Sequence, residues 1–296
     1  MWEISLIRLI VGGVFLSFAA VKDLKTRKVS NKVWITMGMI AMTILGFELI
    51  FLRDVDWSLL LMFIPIGVVF AEAFIDRPPL FSDDGFNPLV FGWLVLPLIV
   101  FIYLVGYYSQ DLLFWSLAMI IGVMLFSFLM YYLYVIHGGA DAKAVITLAI
   151  LLPFYPEVPG LTYRAISDQM VSMMEVFFPF TLVVLLNSSL LVLIFPITSF
   201  IINLSKGDID FPRMFFGYKK SVDELENSFY WPMQYYEDGN LKTELLPRSG
   251  TDEKIKSLKN YGVEEVWATP KIPFIVPMFF GFVISFIIGN PIMYVV

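Results

Sequence analysis

Apolar residues gather in long blocks along this chain, and a block of about 20 is enough for a helix to cross a bilayer. Such blocks lie at 3–22, 33–52, 58–75, 88–106, 112–136, 174–203 and 272–290. An eighth, Ala144 to Phe154, is too short for an ordinary crossing. It predicts a segment that is tilted, partly re-entrant or buried among other helices. Pro153, Pro156 and Pro159 then mark an irregular loop. Counting the short segment as a crossing, the pattern predicts an all-α polytopic membrane protein with about eight membrane segments.

One stretch departs from this pattern. Residues 205–270 are polar and carry turn signals at Lys206-Gly207-Asp208, Glu237-Asp238-Gly239-Asn240 and Arg248-Ser249-Gly250. Short mixed runs such as Phe229-Tyr230-Trp231 and Leu241 to Leu246 lie between them. Thr251 to Asn260 reads as a short amphipathic helix with Ile255 and Leu258 on one face. We expect a small α+β insertion here. The expected organisation is a membrane core over 1–204, a soluble cytoplasmic insertion over 205–270, and a last membrane helix over 271–296.

Composition agrees with a membrane chain. It is 58% hydrophobic and 16% charged, where a soluble domain carries about a quarter charged residues. Mean hydropathy is +0.78. With 0 cysteines there is no disulfide and no thiolate metal site. The single histidine, His137, argues against a zinc peptidase, which needs several imidazoles or a matching carboxylate set. No P-loop and no HExxH occurs. The net charge of −6 is spread through loops and offers no nucleic-acid footprint.

Basic residues set the expected direction. Lys22, Lys25, Arg27, Lys28 and Lys32 follow the first apolar block instead of preceding it. This argues for an uncleaved first helix with its N-terminus outside. Alternation then puts residues 204–271, with ten Lys and Arg, on the cytoplasmic side. Arg8, Arg53 and Arg164 remain outside. The reading is a multi-pass protein of the cell membrane.

Two aspartates carry the candidate chemistry. Asp23 ends the first block, and Asp141 follows the last residues of the fifth through His137-Gly138-Gly139-Ala140. Both fall on the side assigned as cytoplasmic. An ionisable group at the rim of a membrane helix is costly and is a functional candidate. Gly138, Gly139 and Ala140 remove side-chain bulk, so a helix or an extended substrate backbone can come close. Two carboxyls at hydrogen-bonding distance cannot both ionise freely and share a proton, the arrangement aspartic proteases use. Bland readings compete with this. Asp23 alone can be a headgroup-level charge among lysines, and Gly138 to Asp141 alone can be a helix break. Lys143 is a candidate for substrate binding, against the commoner role of snorkelling to the surface. Glu72 reads as interfacial or helix-pairing, and Glu48 as unremarkable. Asp76, Asp83 and Asp84 are acidic residues that suit a basic peptide.

Three stretches resemble the archaeal prepilin and preflagellin peptidases, class III signal peptidases of the GxGD aspartyl protease group. The first is Asp23-Leu24-Lys25-Thr26-Arg27-Lys28-Val29-Ser30-Asn31. The second is Gly138-Gly139-Ala140-Asp141-Ala142-Lys143, with Ala140 in place of a glycine. The third is Glu264-Glu265-Val266-Trp267-Ala268-Thr269-Pro270-Lys271-Ile272-Pro273 before the last helix. The resemblance implies that Asp23 and Asp141 are the catalytic pair, with Gly138, Gly139, Ala140 and Lys143 at the substrate. It implies cleavage of a leader peptide from type IV pilin-like or archaeal flagellin precursors, at the cytoplasmic face, without cofactor or metal. Two readings from other classes stand beside it: a proton-coupled transporter, because paired carboxylates also relay protons, and a non-catalytic assembly scaffold. The aspartates at one face and the missing internal repeat weigh against a transporter.

Overall fold

The computed structural model describes residues 1–82, 85–136, 138–162, 168–226, 228–247 and 250–294. His137, Asp83, Asp84, Arg164 and Arg248 lie outside the described residues. The chain divides into two compact units, Met1–Ser189 with Pro273–Val296, and Leu190–Ile272.

The first unit begins with a helical hairpin. α1 (Trp2–Thr26) and α2 (Asn31–Phe47, continued by a π turn over Glu48–Leu52) are joined by residues 27–30. The joint is tied. Arg27 takes a left-handed conformation and its N–H donates to the Asp23 carbonyl at 2.9 Å. The Ser30 side chain caps α2 by accepting from the Lys32 N–H. A 3-10 turn (Trp57–Met62) leads into α3 (Phe63–Glu72). The short strands β1 (Phe81–Ser82) and β2 (Gly85–Phe86) pair ahead of α4 (Pro88–Tyr108), α5 (Leu112–Tyr132) and α6 (Gly139–Leu151). α7 (Asp168–Phe177) and α8 (Phe180–Val192) follow.

Six helices among the described residues are long and apolar enough to cross a membrane: Trp2–Thr26, Asn31–Leu52, Pro88–Tyr108, Leu112–Tyr132, Phe180–Lys206 and Ile275–Met293. The chain is a multi-pass membrane protein, mostly helical, with a small sheet-bearing region near its C-terminus. Two of the expected eight segments form shorter helices, over Trp57–Glu72 and over Gly139–Leu151. The latter settles the three options for the short segment. Every residue from Ala144 to Leu152 is buried, so α6 is apolar all round and sits among other helices.

The expected span 174–203 is also divided. Pro179 has no N–H to continue α7, but its carbonyl accepts from Leu182 at 2.8 Å and opens α8. A turn at Leu193 precedes α9 (Ile194–Lys206), three residues before Pro196. Proline inside a helix removes one bond and crowds the carbonyl four residues back, here Val192.

The second unit holds α9 and the sheet. β3 (Tyr218–Ser221), α10 (Val222–Leu225), β4 (Tyr230–Pro232), β5 (Gln234–Glu237), β6 (Asn240–Thr243), α11 (Thr251–Asn260) and β7 (Glu265–Pro270) follow in order. β7 lies between β3 and β4, antiparallel to both. β5 and β6 form a hairpin whose turn places Asp238 and Gly239 at positive φ, as an Asp-Gly two-residue turn requires. Val222, Leu225, Ile255, Leu258, Val266 and Ala268 make its core. α11 has the bounds read from sequence and buries Ile255 and Leu258 as expected.

α12 (Ile275–Ile288) returns to the first unit and packs on α1. Glycines set that approach. A Cβ on Gly12 would meet the Phe282 ring at 2.3 Å, and on the side of α12 that meets α8 a Cβ on Gly281 would meet the Ser188 nitrogen at 2.6 Å.

Candidate active site

Asp23 belongs to the inward face of α1. That face reads Ile4, Ser5, Arg8, Gly12, Leu16, Ala19, Ala20 and Asp23, the three-and-four spacing of a buried helical stripe. The carboxylate-bearing residue is therefore only 9% exposed, although Lys22, Lys25 and Lys28 around it in sequence are exposed.

Asp141 is the third residue of α6, whose cap is Gly138. From this position an acidic side chain bends back over the cap residue. The bend is visible: a Cβ built on Gly138 would lie 2.3 Å from the Asp141 Oδ2 and 2.9 Å from its Cγ. Gly138 thus makes room for the aspartate of its own motif. At Gly139 the nearest atom is the Tyr131 hydroxyl at 3.9 Å, an ordinary contact. Ala140 is partly buried against the core.

The two aspartates share one end of the helical core. Lys143, on the first turn of α6, donates to the Asn31 Oδ1 at 2.8 Å, and Asn31 is the first residue of α2. α2 and α6 therefore start at the same end. Asp23, on the last turn of α1, stands at that end too, across the short joint. Among the described residues, neither carboxyl has a side-chain hydrogen bond or an ion pair at contact distance. Arg27 acts on Asp23 at longer range. α6 is anchored beside the site by the buried Ser127 hydroxyl of α5, which donates to the Ala142 carbonyl at 3.0 Å. Two acids at one end of a core can, when they come to hydrogen-bonding distance, share a proton and act on a bound peptide.

Lys143 is half-buried; besides Asn31 its ammonium lies 5.5 Å from the Phe74 ring centroid. Glu72 accepts from Arg77 Nε at 2.8 Å and Trp93 Nε1 at 2.6 Å, so it joins α3 to α4 in the helix-pairing role expected of it. Asp76 is exposed. Among the described residues no group of three or more His, Asp or Glu is placed to hold a metal ion.

Sequence reading passed over one cluster. At the far end of α1, Arg8 pairs with Glu48 at 2.7 Å, with 4% and 3% of the side chains exposed. Arg53 donates to Glu48 at 2.9 Å and its guanidinium covers the Phe154 ring at 3.8 Å. Glu175 accepts from the Tyr155 N–H at 3.1 Å nearby. These residues line a cavity of about 290 Å³. A signal existed. In an antiparallel hairpin Arg8, 18 residues before the end of α1, and Glu48, 17 after the start of α2, fall at one depth. Opposite charges at one depth in lipid seek each other.

Comparison with known proteins adds the family. Residues 210–290 match the family described as Archaeal Peptidase A24 C-terminus Type II, a stretch that contains neither aspartate. Over nearly its whole length the chain is similar to the preflagellin peptidase of Methanocaldococcus jannaschii. The two are 25% identical across 97% of this chain and 96% of that protein. The preflagellin peptidase of Methanococcus voltae is 24% identical, across 97% of both. An uncharacterized protein of M. jannaschii is 27% identical, across 94% of this chain and 91% of its own length. These likenesses bear out the resemblance read from the aspartate, glycine–aspartate and tail stretches: the chain is a multi-pass membrane protein similar over nearly its whole length to archaeal preflagellin peptidases.

Proposed function

We propose that this protein is an aspartic endopeptidase of the membrane that removes the leader peptide from an archaeal flagellin or type IV pilin-like precursor. Asp23 and Asp141 are its catalytic pair. The observation that carries this reading is their placement. Two acids from segments 118 residues apart in sequence stand at one end of the core, and among the described residues neither has a side-chain hydrogen bond or an ion pair.

The chemistry follows from sharing one proton. The ionised carboxylate takes a proton from a water molecule, whose oxygen adds to the scissile carbonyl carbon. The protonated carboxyl gives its hydrogen to the carbonyl oxygen as that oxygen becomes negative. Collapse of the tetrahedral intermediate breaks the C–N bond, and a carboxyl proton goes to the departing amine. Gly138, Gly139 and Ala140 keep the entrance to α6 free of bulk, so an extended substrate backbone can lie beside Asp141. Lys143 stands two residues further on. Lys22, Lys25, Arg27, Lys28 and Lys32 around the joint support a cytoplasmic side for this end by the positive-inside rule, with the N-terminus outside. The substrate is then cut at the cytoplasmic face, ahead of its own hydrophobic helix.

Detergent-purified protein is incubated with a purified archaeal preflagellin, and a shortened product is sought. The parent cleaves, whereas Asp23→Asn and Asp141→Asn proteins, inserted and folded as the parent, do not. Cleavage by either variant at the parental rate would sink the proposal.

A further inference from the structure

We propose that Asn31 and Lys143 form a positioning bridge that holds the two aspartates in register. The inference rests on the reading of Asp23 and Asp141 as the catalytic pair. It concerns a residue, Asn31, that lies outside that pair, and it gives Lys143 a role other than contact with substrate.

Helix geometry supports this. Residues two apart on an α-helix point to nearly opposite sides, so Lys143 cannot share the direction of Asp141. Its ammonium instead crosses to α2 and donates to the Asn31 Oδ1 at 2.8 Å, while its charge lies over the Phe74 ring. Ala142, between the two, is held from the other side by Ser127. The first turn of α6 is thus fixed on both flanks.

On the partner side the chain from Asp23 to Asn31 is short and braced. Arg27 N–H donates to the Asp23 carbonyl, and the Thr26 hydroxyl donates to the carbonyls of Lys22 at 2.9 Å and Lys28 at 3.0 Å. Ser30 caps the next helix. A displacement of Asn31 is therefore passed to Asp23. The Asn31–Lys143 bond is the side-chain link that closes a ring running Asp23, joint, Asn31, Lys143, Asp141. Deeper in the core the same helices are packed by apolar residues such as Trp34, Met37, Val145 and Leu148. Breaking the link leaves the helices assembled and frees only their ends, where the acids sit.

The test measures kcat and KM for preflagellin cleavage by Asn31→Ala, Lys143→Met, their double variant and Asn31→Asp, beside Asp23→Asn. Misplacement of reacting groups by an ångström costs on the order of a hundredfold. Each single variant lowers kcat by about ten- to a hundredfold and leaves KM near the parental value. The double variant is no worse than the poorer single one, because both break one bond. Asn31→Asp restores kcat, since its carboxylate also accepts from the ammonium. Thermal melting of each variant within a few degrees of the parent shows that the fold is kept. Parental kcat in Asn31→Ala, a rise in KM alone in Lys143→Met, or losses that multiply in the double variant overturn the bridge. If these occur while Asp23→Asn is inactive, only the bridge falls. If Asp23→Asn cleaves normally, the proposed function falls and the bridge with it.

Discussion

Gly138→Ala separates two explanations of the small residues before Asp141. If they serve only to admit the substrate, alanine at 138 or at 139 should weaken binding alike. The structure distinguishes them. A methyl at 138 falls 2.3 Å from the Asp141 Oδ2. Non-bonded atoms settle at about 3.5 Å, so the carboxyl must withdraw by about 1 Å. The clashing atom is the tip of a rotatable side chain, so withdrawal costs only about 1 kcal/mol of rotamer strain, and the protein still folds. Its catalytic consequence is larger, because an ångström at the reacting centre is worth on the order of a hundredfold, or about 2.7 kcal/mol in the barrier. At 139 the nearest atom is 3.9 Å away, so Gly139→Ala leaves Asp141 where it is and any effect falls on KM. Steady-state cleavage of preflagellin by the two variants, with melting curves, decides the matter. Equal kcat in Gly138→Ala and the parent, or a loss of kcat in Gly139→Ala as large as in Gly138→Ala, would refute the reasoning.

Two further outcomes follow from packing. Glu48→Ala strands Arg8 in the core, and breaking a buried ion pair from one side costs about 3–5 kcal/mol, so the variant melts well below the parent in detergent; an unchanged melt contradicts a fixed pair. Gly281→Ala drives a methyl against the Ser188 backbone, which cannot swing aside, and overpacking of this kind costs about 1–3 kcal/mol. Gly13→Ala in α1, with nothing within 4 Å, is its control and melts no lower than the parent.

Much of the fold was legible because lipid imposes a simple rule: a crossing needs a long apolar block, and a charge at its edge needs a reason. Six blocks formed crossing-length helices, and the polar stretch formed the sheet-bearing region. Departures came where single residues act. Pro179 cut the expected span 174–203, and composition alone does not weigh one missing N–H against a largely apolar stretch of thirty residues. The segment after Asp141 was too short for a crossing, and only packing showed it enclosed on all faces. In the site, Asp23 and Asp141 could be named, but not what holds them. Asn31 entered only as the end of a motif stretch, and Lys143 read as a candidate at the substrate or a cation bound for the surface. Their bond joins residues 112 apart in sequence, which no local pattern encodes. Glu48 and Arg8 were missed for a different reason. Each was weighed alone, whereas depth in a hairpin would have paired them.

α1 offers an internal comparison of what a buried charge is for. Arg8 and Asp23 lie on one inward stripe of one helix, near its two ends. Lipid and apolar packing penalise both. At Arg8 the penalty is offset by Glu48 at 2.7 Å, itself held by Arg53, so charge meets charge and the geometry is fixed. At Asp23, which shares its end of the core with Asp141, no ion pair offsets the penalty among the described residues. A fold selected for stability alone would treat both ends alike, since an acid opposite an acid contributes repulsion where a pair contributes attraction. Sites that break a local rule without compensation are where function is expected. The same argument separates Glu72 and Glu175, whose oxygens accept from named donors, from Asp23 and Asp141, whose oxygens accept from none among the described residues. Among the described residues, the acids proposed for the chemistry are the ones the fold leaves without a side-chain partner.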